Sequence, residues 1–258
     1  MASSISQELT SRKRQRNGFW GDYDLATVAA YSALLTGLEA ERESYRLSEV
    51  LESGTTPAHW LTIKIIEGLV KQELIKAEPH LYAPNCKLTL NHKNDDCHLK
   101  SAFEELKKGQ VDHMDKSLLS ITRAYLKANL QNHISAQLKS VGIDLTPEEG
   151  DFETFAAALE RRSLAELYMI VWQATQNLSA SNLRFYSLSD SASALADQIE
   201  DTFLEILNRY ESKGRVIKPF RFIKNNRSPL SLVLFNSAFG INSRYHMRSL
   251  KQILNKNA

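Results

Sequence analysis

The chain contains 258 residues, of which 43% are hydrophobic and 24% charged, and its formal net charge at pH 7 is +2. This average composition is typical of a soluble globular protein with one large domain or two ordinary ones, and with only two cysteines it excludes a disulfide-stapled class. The uncharged stretches are too short or too polar to cross a bilayer, and no apolar block follows the first basic residues as in a secretory signal, so we expect an intracellular, cytoplasmic protein.

Residues 1–20 are predicted to form a flexible basic arm, which contains the run RKRQR at residues 12–16. Such an arm can lie along a nucleic-acid backbone or in a minor groove. A solvated, disordered tail is the alternative interpretation.

Three helices are predicted within residues 21–95. The first runs from about Asp24 to Ala40, and a short second one runs from Leu47 to about Ser53, where Gly54 can end it in a left-handed backbone conformation. The third starts at Pro57, which tolerates the first helical position, and Thr56 can cap its unpaired N–H groups.

The third helix has one apolar side and one polar stripe. Ile63, Ile66, Val70 and Leu74 mark the buried side, whereas Lys64, Glu67 and Lys71 share the opposite face with Trp60. Beyond Ile75, the segments 81–83 and 87–90 are predicted as two short strands with a Pro-Asn turn between them.

Three helices closed by such a hairpin resemble a winged helix-turn-helix domain, over about residues 24–92. The resemblance implies that the helix from Pro57 is the recognition helix and that the hairpin is the wing. It also implies that side chains near the start of that helix, with Lys71 further along, contact nucleic acid: Thr56, His59, Trp60, Lys64 and Lys71. Between Tyr45 and Leu90, however, five cations balance five acids, so protein binding is the alternative use of such a domain.

No pattern in the chain indicates a cofactor, a metal or a catalytic centre. Cys86, His92, Cys97 and His98 fall within thirteen residues, but their spacing matches no zinc knuckle, so we interpret them as ordinary loop residues. Phosphate-loop, dinucleotide-binding, nucleophile-elbow and His-Glu-x-x-His motifs do not occur. We therefore expect no enzyme; the alternative is a hydrolase or nuclease site assembled from distant residues.

The middle of the chain is predicted to be helical. Residues 96–142 are assigned to connecting helices with an apolar stripe from Met114 to Val141, ended by Gly142. Residues 143–258 are assigned to a helical domain, with capping boxes predicted at residues 146–149 and at 163–166. The run 167–172 suggests a helix that is buried all round.

The helix from Ala192 to near Gly214 is strongly amphipathic. Apolar residues repeat along it at intervals of three and four, and its exposed side is acidic through Asp197, Glu200, Asp201 and Glu205. Such a stripe is more often core within the chain than a seam between two copies.

Positive charge is concentrated at the end of the chain. Every one of the 30 acidic residues lies at or before Glu211, and ten Lys and Arg residues follow it. Five of these cations recur at every third position, which an extended segment with three residues per turn would place on one edge: Arg215, Lys218, Arg221, Lys224 and Arg227. Phosphates or an acidic protein surface are the candidate partners; a strap whose cations are merely solvated is the alternative.

Together these patterns predict a mainly α-helical protein with a winged helix-turn-helix-like N-terminal domain, a helical C-terminal domain and a short extended or β C-terminal strap. We expect a nucleic-acid-binding protein, with DNA favoured over RNA, acting in transcriptional or mobile-element control, and also a homodimer contact or a protein partner but no membrane. The alternative is a non-catalytic interaction subunit whose basic tail binds an acidic partner or RNA.

Overall fold

The computed structural model describes residues 25–38, 42, 44–90, 116–181, 192–220, 228–241 and 244–254. In this part of the chain the fold is mainly helical with one small antiparallel sheet. Of the described residues, 25–55, 62–121 and 228–240 form one compact unit, and 56–61, 122–227 and 241–258 form a second. No helix among them is both long and apolar enough to cross a membrane.

The first unit alternates helices and strands. Helix α1 (Leu25–Gly37) precedes strand β1 (Ser44–Arg46), helix α2 (Leu47–Glu52) and helix α3 (His59–Lys71), whose first three residues count with the second unit. Strands β2 (Ile75–Glu78) and β3 (Lys87–Leu90) follow. The start of helix α4 (Lys116–Ser140) joins this unit through Ser117, whose hydroxyl accepts a hydrogen bond from the N–H of Ala26 at 3.2 Å.

The three strands form an antiparallel sheet in the order β1, β3, β2. Ile75 pairs with Leu90 and Tyr45 pairs with Leu88, and all four side chains are buried. The hairpin is therefore present, but the prediction that its first strand spans residues 81–83 is wrong. Those residues lie in the connection, where tight turns bury Leu81 and Ala83 instead.

Helix α3 starts two residues later than predicted. The Thr56 hydroxyl donates to the carbonyl of Ala58 at 2.8 Å, and Pro57 precedes the first helical residue, His59. Gly54 adopts the left-handed conformation expected after α2, with φ +68°.

Residues 228–240 pack in the first unit rather than with the C-terminal helices. Helix α8 (Pro229–Ser231) runs directly into seven residues wound as a π-helix, 232–238, and both contact α1. The N–H of Leu230 donates to the carbonyl of Thr55 at 3.2 Å, and Leu234 and Phe235 are fully buried. Long-range apolar burial thus assigns this segment to the N-terminal unit.

The second unit is built around the later part of α4. Helix α5 (Glu153–Ala156) passes into a 3-10 turn (Ala157–Glu160), followed by α6 (Leu164–Ser181) and α7 (Ala192–Ser212). A 3-10 turn at Tyr245–Met247 and helix α9 (Leu250–Leu254) complete it. The core is aromatic: the Phe203 ring on α7 lies 5.9 Å from that of Phe152 and 5.2 Å from that of Phe155.

The two predicted capping boxes have opposite outcomes. The box at Ser163 is confirmed, because the Glu166 carboxylate accepts from the N–H of Ser163 at 2.8 Å and the Ser163 hydroxyl accepts from the N–H of Glu166 at 3.3 Å. The box at residues 146–149 is wrong. There the Asp151 carboxylate accepts from the N–H of Glu148 at 2.7 Å in a turn, and α5 starts only after Phe152, which has a left-handed φ of +57°.

Two side chains depart from the predicted helix faces. Trp172 is 40% exposed, so the run 167–172 is not buried all round, although Leu167, Ile170 and Val171 are. Glu200 is only half-exposed on α7, because its carboxylate accepts a hydrogen bond from the N–H of Phe155 at 2.6 Å. Burial raises the pKa of Glu200, and this outweighs the lowering by its backbone hydrogen bonds.

Candidate nucleic-acid interface

The polar stripe predicted on the third helix lies at the surface of α3. Lys64 and Lys71 are both exposed, and a separation of seven residues places them within about 20° of each other around the helix axis. His59, in the first turn, is also exposed. Two cations two turns apart on one helical face can each meet a phosphate.

The connection between β2 and β3 reaches the same stripe. Tyr82 is 70% exposed, and its hydroxyl donates to the carboxylate of Glu67, which lies between the two lysines. This hydrogen bond raises the pKa of the Tyr82 hydroxyl. The hairpin connection and α3 therefore form one continuous surface in the first unit.

The first turn of α3 is less accessible than the sequence suggested. Thr56 is buried, with 8% of its surface exposed. The Trp60 indole N–H donates to the side-chain oxygen of Gln131 at 2.9 Å within the second unit. A buried threonine and a tryptophan that is already hydrogen-bonded at its polar atom are poorly placed to reach base edges.

The described part of the predicted strap is residues 215–220, which form neither helix nor strand. Arg215 and Lys218 are both exposed. Val216 is 83% exposed, whereas Ile217 is buried. The segment thus presents cations while one apolar residue anchors it.

An aromatic contact holds the end of this segment in the second unit. The N–H of Phe220 donates to the carbonyl of Ala165 at 2.9 Å, and its ring meets His133 edge-on at 5.5 Å. His133 also stacks on Tyr168 at 3.9 Å between ring centroids. The Nε2 atom of His133 is buried without a hydrogen-bond partner in the described part of the chain, and burial lowers the pKa of His133 to about 4.

Several predicted features lie outside the described residues. These are the basic arm at 12–16, the cations Arg221, Lys224 and Arg227, and the pair His92 and His98 with Cys97. Cys86 is described and buried, and burial raises the pKa of its thiol. Within the described ranges, no three His, Cys, Asp or Glu side chains are grouped so as to hold a metal ion.

Two residues of structural importance were missed by the sequence reasoning. Tyr82 carries no local signal for its contact with Glu67, fifteen residues earlier. Gln131 looks like an ordinary polar helix residue, yet it is 2% exposed and bonds three groups from two other segments. The burial of Gln131 could have been predicted only from its position on the apolar side of α4.

Comparison of the chain with known protein families, with curated proteins and with solved structures found no match.

Proposed function

We propose that this protein binds nucleic acid, with DNA the favoured ligand, through the α3 and hairpin surface of its first unit. The observation that carries the proposal is the pair of exposed lysines, Lys64 and Lys71, on one face of a helix that is followed by an antiparallel hairpin. Three helices followed by an antiparallel hairpin resemble a winged helix-turn-helix domain, and in helix-turn-helix domains the second helix of the motif enters the major groove.

The binding surface we propose is narrower than the sequence suggested. It consists of Lys64 and Lys71 on α3 together with Tyr82 in the hairpin connection, whose exposed ring can pack on a sugar or a base. His59 is also exposed, but it belongs to the second unit. Because Tyr82 donates to Glu67, the one acid between the lysines is already hydrogen-bonded. Arg215 and Lys218 are exposed cations of the second unit and are a separate candidate contact.

A salt titration of binding to a labelled random-sequence DNA duplex tests this proposal. Each lysine that neutralises one phosphate contributes about −0.9 to the slope of log K against log salt. We expect Lys64→Ala and Lys71→Ala each to reduce that slope by about 1. Lys139→Ala is the matched control, since Lys139 is an exposed lysine in the last turn of α4 and the substitution changes the net charge equally.

The second candidate function is a protein-interaction subunit. It is favoured by the charge pairing in the first unit, where a guanidinium nitrogen of Arg42 lies 3.6 Å from the carboxylate of Glu49 and Lys76 is paired with Glu78. A surface whose charges are already neutralised gains little from releasing counterions. Absence of duplex binding even at low salt would remove the nucleic-acid proposal and favour this alternative.

A further inference from the structure

The segment 215–220 follows α7 and has neither helix nor strand. Its described contacts include the buried side chain of Ile217 and the N–H of Phe220, which donates to the carbonyl of Ala165 on α6 at 2.9 Å. A segment that buries few side chains and forms no repeating ladder of backbone hydrogen bonds opens at a lower free-energy cost than packed helices do. We therefore expect 215–220 to detach more readily than α4 or α6.

His133 on α4 lies where this segment meets the helices. Its ring stacks on that of Tyr168 from α6, with 3.9 Å between the centroids, and the Phe220 ring meets it edge-on at 5.5 Å. The Nε2 atom is buried and has no hydrogen-bond partner among the described residues. A proton taken up there would be a charged donor without an acceptor, which is costly inside a protein. Hydrating Nε2 requires a neighbouring group to move, and Phe220 belongs to the less firmly held segment.

The groups that face His133 do not offset such a charge. From α6 the neighbour is Tyr168, and burial raises the pKa of its phenol, so it stays neutral in acid. From the segment the neighbour is Phe220, which does not titrate, and the exposed Arg215 and Lys218 carry the same sign of charge as an imidazolium. Burial lowers the pKa of His133 to about 4, and the backbone of Tyr168 opposes this only in part. The ring is therefore neutral at pH 7.

We propose that His133 is a pH-sensitive contact that holds segment 215–220 against α4 and α6 at neutral pH and lets it detach in mild acid. Detachment frees Phe220 together with the cations Arg215 and Lys218, while α4 and α6 keep their own packing. The inference does not depend on nucleic-acid binding by the first unit, because all of these residues belong to the second unit.

Hydrogen exchange of the Phe220 amide in the full chain, measured by NMR and corrected for the intrinsic effect of pH, tests local detachment. If the pKa of His133 is about 4 when the segment is attached and 6.5 when it is detached, the opening equilibrium should rise about twentyfold from pH 7 to pH 5. The Phe220 amide should also be protected at least tenfold less than the buried amides of α6 at both pH values. Equal protection of the two would mean that the segment opens only when the whole unit unfolds, and would overturn the proposal.

Two histidine variants test which group senses the pH. His133→Phe cannot take up a proton, so the rise in exchange at Phe220 between pH 7 and pH 5 should disappear. His246 is the matched control, because it is also a half-buried histidine of the second unit whose pKa burial lowers, and its ring meets Tyr245 edge-on at 5.8 Å. His246→Phe should leave the rise at Phe220 unchanged. Persistence of the rise in His133→Phe, or its loss in His246→Phe, would contradict the assignment to His133.

A third variant tests whether the segment is what shields His133. Phe220→Ala removes a ring that is only half-buried at the end of the segment, so it leaves the helices intact. We expect the pKa of His133, followed by NMR of its ring, to move from about 4 in the wild type toward 6.5 in this variant. A pKa that stays at about 4 without the Phe220 ring would refute the coupling between His133 and the segment.

Discussion

Trp60 and Gln131 are joined by a hydrogen bond of 2.9 Å between the indole N–H and the side-chain oxygen, although they are 71 residues apart. Gln131 is 2% exposed, and its amide nitrogen also donates to two carbonyls of the turn that precedes α5. The three groups bonded to Gln131, the Trp60 N–H and the carbonyls of Glu148 and Asp151, would lose this partner if the side chain were apolar.

Gln131→Leu is expected to lower the free energy of unfolding by about 2–4 kcal/mol. The replacement keeps the approximate volume of the side chain but leaves the Trp60 N–H and the carbonyls of Glu148 and Asp151 without their partner, and each unpaired buried group costs about 1–3 kcal/mol. Urea unfolding followed by circular dichroism measures the change. The neighbouring exposed residue provides the control: Asn132→Leu should alter stability by no more than about 0.5 kcal/mol.

Two glycines in the first unit should respond in opposite directions to alanine. A Cβ at Gly37 would lie 2.6 Å from the Thr55 hydroxyl oxygen and 3.2 Å from Cγ of Pro229, so Gly37→Ala should destabilise by about 1–3 kcal/mol. Gly68 lies inside α3 with nothing within 4 Å of the added atom, so Gly68→Ala should stabilise by about 0.5–1 kcal/mol. Thermal unfolding of both variants measures these changes; equal shifts of the melting temperature in the two variants would contradict the packing at Gly37.

Local signals predicted the helices well where a cap or a stop is encoded within a few residues. The box at Ser163, the left-handed Gly54 and the end of α4 at Gly142, with φ +87°, are examples. The predictions that failed depend on contacts between residues that are far apart in the chain. Strand β2 starts at Ile75, which pairs with Leu90 fifteen residues later, and the identities of residues 81–83 carry no signal of that pairing.

The candidate interface divides in the same way. Exposure of Lys64 and Lys71 follows from helical periodicity, which is why the stripe could be predicted. The Trp60 indole is held away from that stripe by its hydrogen bond to Gln131, and the Tyr82 side chain joins the stripe through its hydrogen bond to Glu67. Both are contacts between distant residues, and a single sequence shows neither.

The segment 228–240 should be indispensable for the first unit, even though it belongs to the basic end of the chain. Leu234 is fully buried, so Leu234→Ala should cost about 2–5 kcal/mol through lost burial and the cavity it leaves. The exposed Asn236 on the same π-helical turn is the control, and Asn236→Ala should be close to neutral. A mild effect at Leu234, measured by urea unfolding, would contradict the packing described for this segment.

The same packing changes how the cationic segment should be tested. Truncation after Glu211 would remove Leu230 and Leu234 together with the cations, so loss of binding would not distinguish charge from unfolding. Substitution of Arg215 and Lys218 by alanine removes two exposed charges and no buried side chain. We expect this double variant to retain its melting temperature, and differential scanning fluorimetry checks that before any binding is measured.

His133 should make the protein less stable in mild acid. Its folded pKa is lowered to about 4 from 6.5 because burial against Tyr168 and Phe220 disfavours the charged ring. A depressed histidine pKa contributes stability that is complete above pH 6.5 and is lost as the pH falls from there toward 4, by roughly 3 kcal/mol at most.

His133→Phe keeps an aromatic ring in the stack but cannot take up a proton. The difference in unfolding free energy between the wild type and this variant should therefore shift in favour of the variant as the pH falls from 7 to 4. A pH-independent difference for His133→Phe would show that the ring is solvated in the folded protein.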